Sequence, residues 1–251
     1  MHMRNQIVIL AAGKGTRMGG NIPKVLVMLN NKPLILYALE EIEKINQLAK
    51  PVIVVGYGAG KVQQVLGNDY TYVFQEKQLG TANALLSAKN KVKADNILVL
   101  YGDMPFIKAQ SLKNLIKLHF KSGGKITMLT VESPNFRGLY SSLEHYGRIV
   151  RDTRHQVAGV VEFKDASAGQ KKIREVNPGI YMFNTKWLWE NLAKIGNKNK
   201  QQEYYLTDIV ALAVSQGLKV QSLKTEAKEV LGVNSREDLV NAEKLMRNYG
   251  S

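Results

Sequence analysis

The chain has 251 residues, 45% hydrophobic and 22% charged, a globular composition with length for one large α/β domain or two small ones. It contains no cysteine, which excludes disulfides, thiolate metal sites and cysteine nucleophiles and fits a reducing cytoplasm. A formal net charge of +14 admits nucleic acid, an acidic membrane or a small polyanion as partner, but the lysines are scattered (Lys89, Lys91 and Lys93; Lys171 and Lys172; Lys194, Lys198 and Lys200) without the interleaved aromatics that nucleic acid would require, so the expectation is a solvated surface favouring a small polyanion.

The first strand pattern, residues 7–10, opens into AAGKGTRMGG, with Gly13, Gly15, Gly19 and Gly20 and the cations Lys14 and Arg17. An ATPase loop would place Lys-Ser/Thr after Gly20, where Asn21-Ile22 stand. A dinucleotide loop would need glycine where Met18 stands. What remains is a loop whose main-chain N–H groups hold a triphosphate while Arg17 and Lys24, in the following PKVL, neutralise it. Two unit charges about 4 Å apart attract by roughly 4 kcal/mol at an effective dielectric near 20, so two such cations matter to a tetra-anion.

Further along, PLILYALEEIEKI places Leu34, Ala38, Ile42 and Ile45 on one helical face, with Pro33 suited to the first turn. Apolar runs at 51–55, 72–74, 97–100 and 126–131 read as strands. The helix SLKNLIKLHF buries Leu112, Leu115, Ile116 and Phe120 and stops at Gly123-Gly124, which leaves His119 at the surface or the core edge. Such alternation predicts a mostly parallel sheet covered on both faces, with ligands beyond the carboxyl ends of its strands. The glycine loop and YGDMP, with Asp103, occupy such ends. From about residue 137, YGRIV and VAGVVEF read as shorter strands of a mixed or antiparallel lobe. KWLWENLAKI and YYLTDIVALAVSQG read as helices around a polar surface loop at 194–202, and a last helix is capped by Ser235. His2, His119, His145 and His155 share no spacing of a metal site or triad, and Trp187 and Trp189 read as packing residues. None of the apolar runs approaches a membrane span, and no secretion signal is apparent, so no membrane partner is expected.

LAAGKGTRM with PKVL resembles the signature of the sugar-1-phosphate nucleotidyltransferases. QLGTANA, LYGDMP, YGRI, VVEFKDA, EVNPGIY, QQEYYLTDI and GVNSREDL follow in the order and near the spacing of the bacterial N-acetylglucosamine-1-phosphate uridyltransferases, from about residue 5 to 245. The resemblance implies an α/β fold, a Rossmann-like mostly parallel sheet flanked by helices with a smaller mixed-sheet sugar-binding lobe. It implies residues 1–230 as the transferase domain and 231–251 as a connecting helix. The implied substrates are UTP and N-acetylglucosamine 1-phosphate, the cofactor Mg²⁺ and the location cytoplasmic, with self-association left open. Carried over by register, Arg17, Lys24 and Asp103 act in catalysis, and Asp103 and Asn234 hold the metal. Leu10, Ala11, Ala12, Gly13, Gln75, Gly80 and Thr81 face base and ribose, while Tyr101, Gly102, Gly147, Glu162 and Asn177 face nucleotide and sugar.

The sequence departs from that pattern in four places. Asn83 stands where histidine is usual, and Pro178 where threonine is. One extra residue falls between Gly147 and Glu162, in the DTRHQ turn. No hexapeptide repeats follow, so no acetyltransferase activity is expected of this chain, and Gly250-Ser251 has the look of a cloning remnant. Two other readings stay open: the same transfer with another sugar or base, and a binding protein that has lost turnover. Against the second stand Arg17, Lys24, Asp103 and Asn234, all of them present.

Overall fold

A computed structural model describes residues 4–19, 22–46 and 48–249; His2, Gly20, Asn21 and Gly250-Ser251 lie outside the described residues. The elements are β1 (Asn5–Ala11), β2 (Met28–Leu29), β3 (Lys32–Pro33), α1 (Leu34–Glu43), β4 (Leu48–Val55), α2 (Ala59–Leu66), β5 (Thr71–Phe74), α3 (Thr81–Ser87) and β6 (Asn96–Tyr101). They continue with α4 (Ala109–Ser122), β7 (Ile126–Glu132), β8 (Gly147–Arg151), β9 (Val157–Val161), α5 (Ala168–Lys171) and β10 (Glu175–Asn177). The last are β11 (Tyr181–Asn184), α6 (Thr185–Leu192), α7 (Asp208–Ser215), β12 (Gln221–Lys224) and α8 (Arg236–Tyr249).

Ten strands form one sheet in the order β5-β4-β1-β6-β11-β7-β10-β8-β9, with β12 paired to β7. β5, β4, β1 and β6 are mutually parallel, whereas β11 runs antiparallel between β6 and β7. The antiparallel strands expected after residue 137 are β10, β8 and β9, and they extend the central sheet through β7. A separate two-stranded ribbon, β2-β3, leads into α1. Pro33 closes that ribbon as the residue before the first helical turn, one position earlier than the sequence pattern suggests.

The apolar stretches of β1, β4 and β6 are buried on both faces, as parallel strands under two helical layers must be, while Phe74 of the edge strand β5 is exposed. Alternate residues of β1 feed different cores: Ile7 and Ile9 pack with Ile35, Leu39 and Leu112, while Val8 and Leu10 pack with Leu85, Leu188 and Ile209. Trp187 is buried in the second core, as expected of a packing residue. α4 ends at Gly123, whose φ of +60° is the left-handed cap that glycine adopts without strain.

His119 corrects the sequence reading. It lies four residues beyond Leu115 on the same buried face and is 2% exposed. Its ring nitrogens meet Thr127 Oγ1 at 2.9 Å and Asn96 Oδ1 at 3.3 Å. Burial, with Lys125 adding repulsion, lowers its pKa to about 4.

Candidate active site

β1 and β6 are neighbours in the sheet, so the loops leaving their carboxyl ends meet. Gly102 N–H donates to Leu10 O at 3.1 Å and ties the two ends together. A side chain at Gly102 would meet Val25 Cγ1 at 3.0 Å and Ile35 Cδ1 at 3.3 Å, so the main chain here packs closely against α1 and the Lys24–Leu26 turn. Gly56, just past β4, has a matching role: its Cβ would lie 2.8 Å from Ala12 O.

Lys24 opens a short 3-10 turn, Lys24–Leu26, across from Asp103. Its ammonium forms an ion pair with Asp103 Oδ2 and donates to Asn234 Oδ1 at 2.9 Å. Asn234 is brought in by the segment before α8, where Val233 N–H donates to Asp103 O at 3.0 Å and Asp238 accepts from Asn234 N–H. Ser235 Oγ accepts from Asp238 N–H, which makes it the expected helix cap. A carboxylate oxygen and an amide oxygen therefore converge on one cation. Among the described residues no group of three or more His, Cys, Asp or Glu is placed to hold a metal. Asp103 and Asn234 still fit a hard divalent ion, because Mg²⁺ is usually held by one or two protein oxygens, with water and phosphate completing the octahedron.

Two cavities share Lys24, Tyr101 and Asp103. The first, about 270 Å³, is lined by Leu10, Ala11, Ala12, Gly13, Gln75, Gly80 and Thr81, together with Gln78 and Glu203. The second, about 190 Å³, is lined by Gly147, Glu162, Asn177 and Asn234, together with His145, Tyr146, Pro178 and Gly179. Arg17 stands apart from both. It is exposed on the 3-10 turn Thr16–Met18, makes no ion pair among the described residues, and borders a neighbouring cleft that Asn234 and Tyr146 also line.

In the first cavity the Gln75 amide nitrogen donates to Asn83 Oδ1 at 2.9 Å and to Gly80 O at 3.4 Å. Gly80 has a φ of +110°, and its Cβ would lie 2.6 Å from Tyr204 O, so only glycine fits there. Thr81 Oγ1 accepts from Leu206 N–H at 2.9 Å, and Gln78 Nε2 donates to Ala12 O at 2.8 Å, which closes the loop across the cavity rim.

In the second cavity Glu162 Oε1 accepts from Thr207 Oγ1 at 2.9 Å. Burial pushes the Glu162 carboxyl up, the Thr207 bond pulls it down, and the nearby Asp208, Asp165 and Glu203 push it up again, with a net rise. A Cβ on Gly147 would lie 2.8 Å from Val160 Cγ1 and 3.5 Å from Glu162 Oε1, so this glycine leaves room at the carboxylate. Asn177 Oδ1 spans Pro178 to accept from Gly179 N–H at 3.0 Å, a turn that makes no use of the N–H that proline lacks. In the DTRHQ turn Asp152 Oδ1 accepts from the N–H groups of Arg154 and Gln156, and His155 takes a φ of +58°.

Sequence reasoning did not single out Gly56, Gln78, Tyr146, Gly179 or Thr207. Gly179 had a signal, since Asn-Pro-Gly is a turn sequence. Gln78, Tyr146 and Thr207 lie within the motifs QLGTANA, YGRI and QQEYYLTDI, but like Gly56 they take their roles from neighbours remote in the chain. Tyr146, for one, bonds through its hydroxyl to Val230 O and Gly232 N.

Residues 7–181 match the MobA-like NTP transferase domain. The chain is 40% identical over 251 residues to the bifunctional protein GlmU of Caldicellulosiruptor saccharolyticus, a match covering 98% of this chain and 53% of that protein. It thus spans about half the length of that relative. Among solved structures, an apo UDP-glucose pyrophosphorylase superposes with a TM-score of 0.79 at 18% identity, covering 100% of both chains. A UDP-glucose pyrophosphorylase complexed with UDP-glucose superposes with a TM-score of 0.74 at 19% identity, covering 98% of this chain and 100% of the other. At that level of identity the two structures establish the shared fold.

Proposed function

The chain belongs to the MobA-like NTP transferase family and is a nucleotidyltransferase, and from that premise we propose that it makes UDP-N-acetylglucosamine and pyrophosphate from UTP and N-acetylglucosamine 1-phosphate, with Mg²⁺ as cofactor. The observation that carries this reading is the convergence of Lys24, Asp103 and Asn234 where the two cavities meet. Nucleotidyltransferases of this family generally use divalent metal ions. The sugar assignment draws on the GlmU relatives, and the bound UDP-glucose of one structural neighbour supports a nucleotide-sugar site of this shape. Cell-envelope precursor synthesis in the cytoplasm is the setting we infer, with residues 1–230 as the transferase unit and 231–251 as a connecting helix. Among the described residues no helix is long and apolar enough to cross a membrane.

In the proposed reaction a phosphate oxygen of the sugar phosphate attacks the α-phosphorus of UTP and pyrophosphate leaves. Such a displacement needs no covalent intermediate, and catalysis lies in positioning two polyanions and cancelling their repulsion. Gln75, Gly80 and the main chain of Leu10–Gly13 would orient base and ribose. Glu162 would accept sugar hydroxyls, with Thr207 holding its carboxylate in place. Lys24 would neutralise phosphate charge between the cavities, and Arg17 would add to it from its exposed turn at the cleft that Asn234 also lines. Asp103 and Asn234 would hold Mg²⁺, which when bound supplies charge neutralisation on the phosphate oxygens.

The test is pyrophosphate release with Mg²⁺, comparing N-acetylglucosamine 1-phosphate with glucose 1-phosphate and UTP with the other three triphosphates. Preference for UTP and the N-acetylated sugar is expected. Turnover with another pair would reassign the substrates, and no release from folded protein with any pair would overturn the proposal.

A further inference from the structure

We propose that Asn83, together with the Gly80 carbonyl, fixes the Gln75 side-chain amide with its oxygen toward the base, so that the nucleotide cavity selects a pyrimidine carrying an N3–H. The inference rests on the uridylyl-transfer reading above and deepens it at the base.

The orientation of the amide follows from its neighbours. One end of the Gln75 side chain faces both Gly80 O and Asn83 Oδ1. A main-chain carbonyl can only accept, so the Gln75 atom facing it is the nitrogen. Both hydrogens of Nε2 are then spent, and the Asn83 atom they meet must be its oxygen. Gln75 Oε1 has no hydrogen-bond partner among the described residues, while Gln75 itself lines the cavity. The residue is 4% exposed and its N–H donates to Val55 O at 2.7 Å, so neither backbone nor side chain is free to adjust. Asn83 sits in the first turn of α3, directly after the constrained Gly80.

An amide oxygen fixed in this way is a pure acceptor. Uracil offers N3–H between two carbonyls and can donate to it. Cytosine has a lone pair at N3, and its only donor on that edge is the N4 amino group, one position round the ring. Acceptor against acceptor in a buried site costs a full unmade bond. Without Asn83 the amide is held by the longer bond to Gly80 alone, so turning its nitrogen to the base forfeits one weak bond instead of two. Asn83 is therefore a positioning residue for base choice, acting through Gln75.

The experiment is equilibrium binding of UTP and CTP, with Mg²⁺ and no sugar phosphate, to the wild type, Asn83→Ala and Asn83→Asp. Asn83 is half-buried on a helix and alanine is the best helix former, so the variant is expected to fold. The wild type should prefer UTP. Asn83→Ala should narrow the UTP-to-CTP ratio roughly ten-fold. Asn83→Asp, still an acceptor, should restore the ratio, since its added charge acts on both triphosphates alike. An unchanged ratio in Asn83→Ala, or a ratio narrowed as far in Asn83→Asp, would overturn the role of Asn83. A wild type that prefers CTP or a purine triphosphate would instead overturn the uridylyl reading, before any variant is compared.

Discussion

Among the described residues that line both cavities, Asp103 carries the only carboxylate, and its partner Lys24 is held on its other side by a neutral amide. Removing the carboxylate should leave the fold in place and lower turnover at saturating Mg²⁺ by about 10²–10³-fold, the scale of losing one preorganised electrostatic contact. Steady-state rates of Asp103→Ala check this, and wild-type turnover would remove Asp103 from the metal role. Glu162 makes a prediction with a pH signature. Burial raises its pKa, so on acidification its anion is lost at a higher pH than for an ordinary glutamate, about 4.3. The KM for sugar phosphate should therefore climb as pH falls while the KM for UTP holds, and Glu162→Gln should remove that difference. The same pH profile in both proteins would place Glu162 outside the sugar site. Asp103 could be placed from the sequence because strand ends are legible in apolar runs. Glu162 and Asn234 needed the family register, since a glutamate in a strand and an asparagine before a helix have commoner uses.

At the scale of elements, the legible parts were those whose signal is local. The strands at 7–10, 51–55, 97–100 and 126–131 lie within β1, β4, β6 and β7, and the helix face of α1 is buried as its periodicity predicts, whereas on α4 Leu112 and Leu115 are buried, Ile116 and Phe120 only partly, and His119 takes the buried position. The illegible part was how separate elements are clamped together. Arg148 on β8 is 0% exposed, and no carboxylate is among its hydrogen-bond partners. Its guanidinium donates to the carbonyls of Leu143, Glu144, Tyr146 and Lys171 and lies between the rings of Phe136 and Phe163. A flat fork with five donors can do this and a lysine ammonium cannot. Arg148→Met should cost about 2–4 kcal/mol, because buried carbonyls lose their donors, and Arg148→Lys should rescue little of it. Urea unfolding of the two variants measures the loss. Gly179, with a φ of +76°, tests the turn between β10 and β11. A Cβ there would fall 2.1 Å from Tyr101 Cε2, so Gly179→Ala must displace the ring shared by both cavities. It should raise KM for both substrates, in contrast to the one-sided effect expected of Glu162→Gln.

Over the whole molecule, folding places a neutral histidine at the contact of three elements. His119 of α4 bonds to Thr127 of β7 and Asn96 of β6, so the helix is pinned to the sheet by a ring that cannot be charged cheaply. No local pattern marked it, because a histidine within an apolar stripe looks the same whether it meets water or two buried oxygens. Its folded pKa is about 4, against about 6.5 in an unfolded chain. The unfolded state therefore binds the extra proton first. The stability due to neutral His119 is fully present above pH 6.5 and is lost as pH falls through the window from 6.5 to 4. Between pH 7 and pH 5 that loss is about 2 kcal/mol, in a range where most carboxylates remain ionised. His119→Gln keeps a polar side chain for Thr127 and Asn96 but does not titrate. It should be less stable than the wild type at pH 7, yet lose much less on going to pH 5, so that the two stabilities converge. Urea unfolding of both proteins at the two pH values decides the matter: parallel losses would mean that the proton taken up on acid unfolding goes elsewhere, and converging ones that His119 carries it.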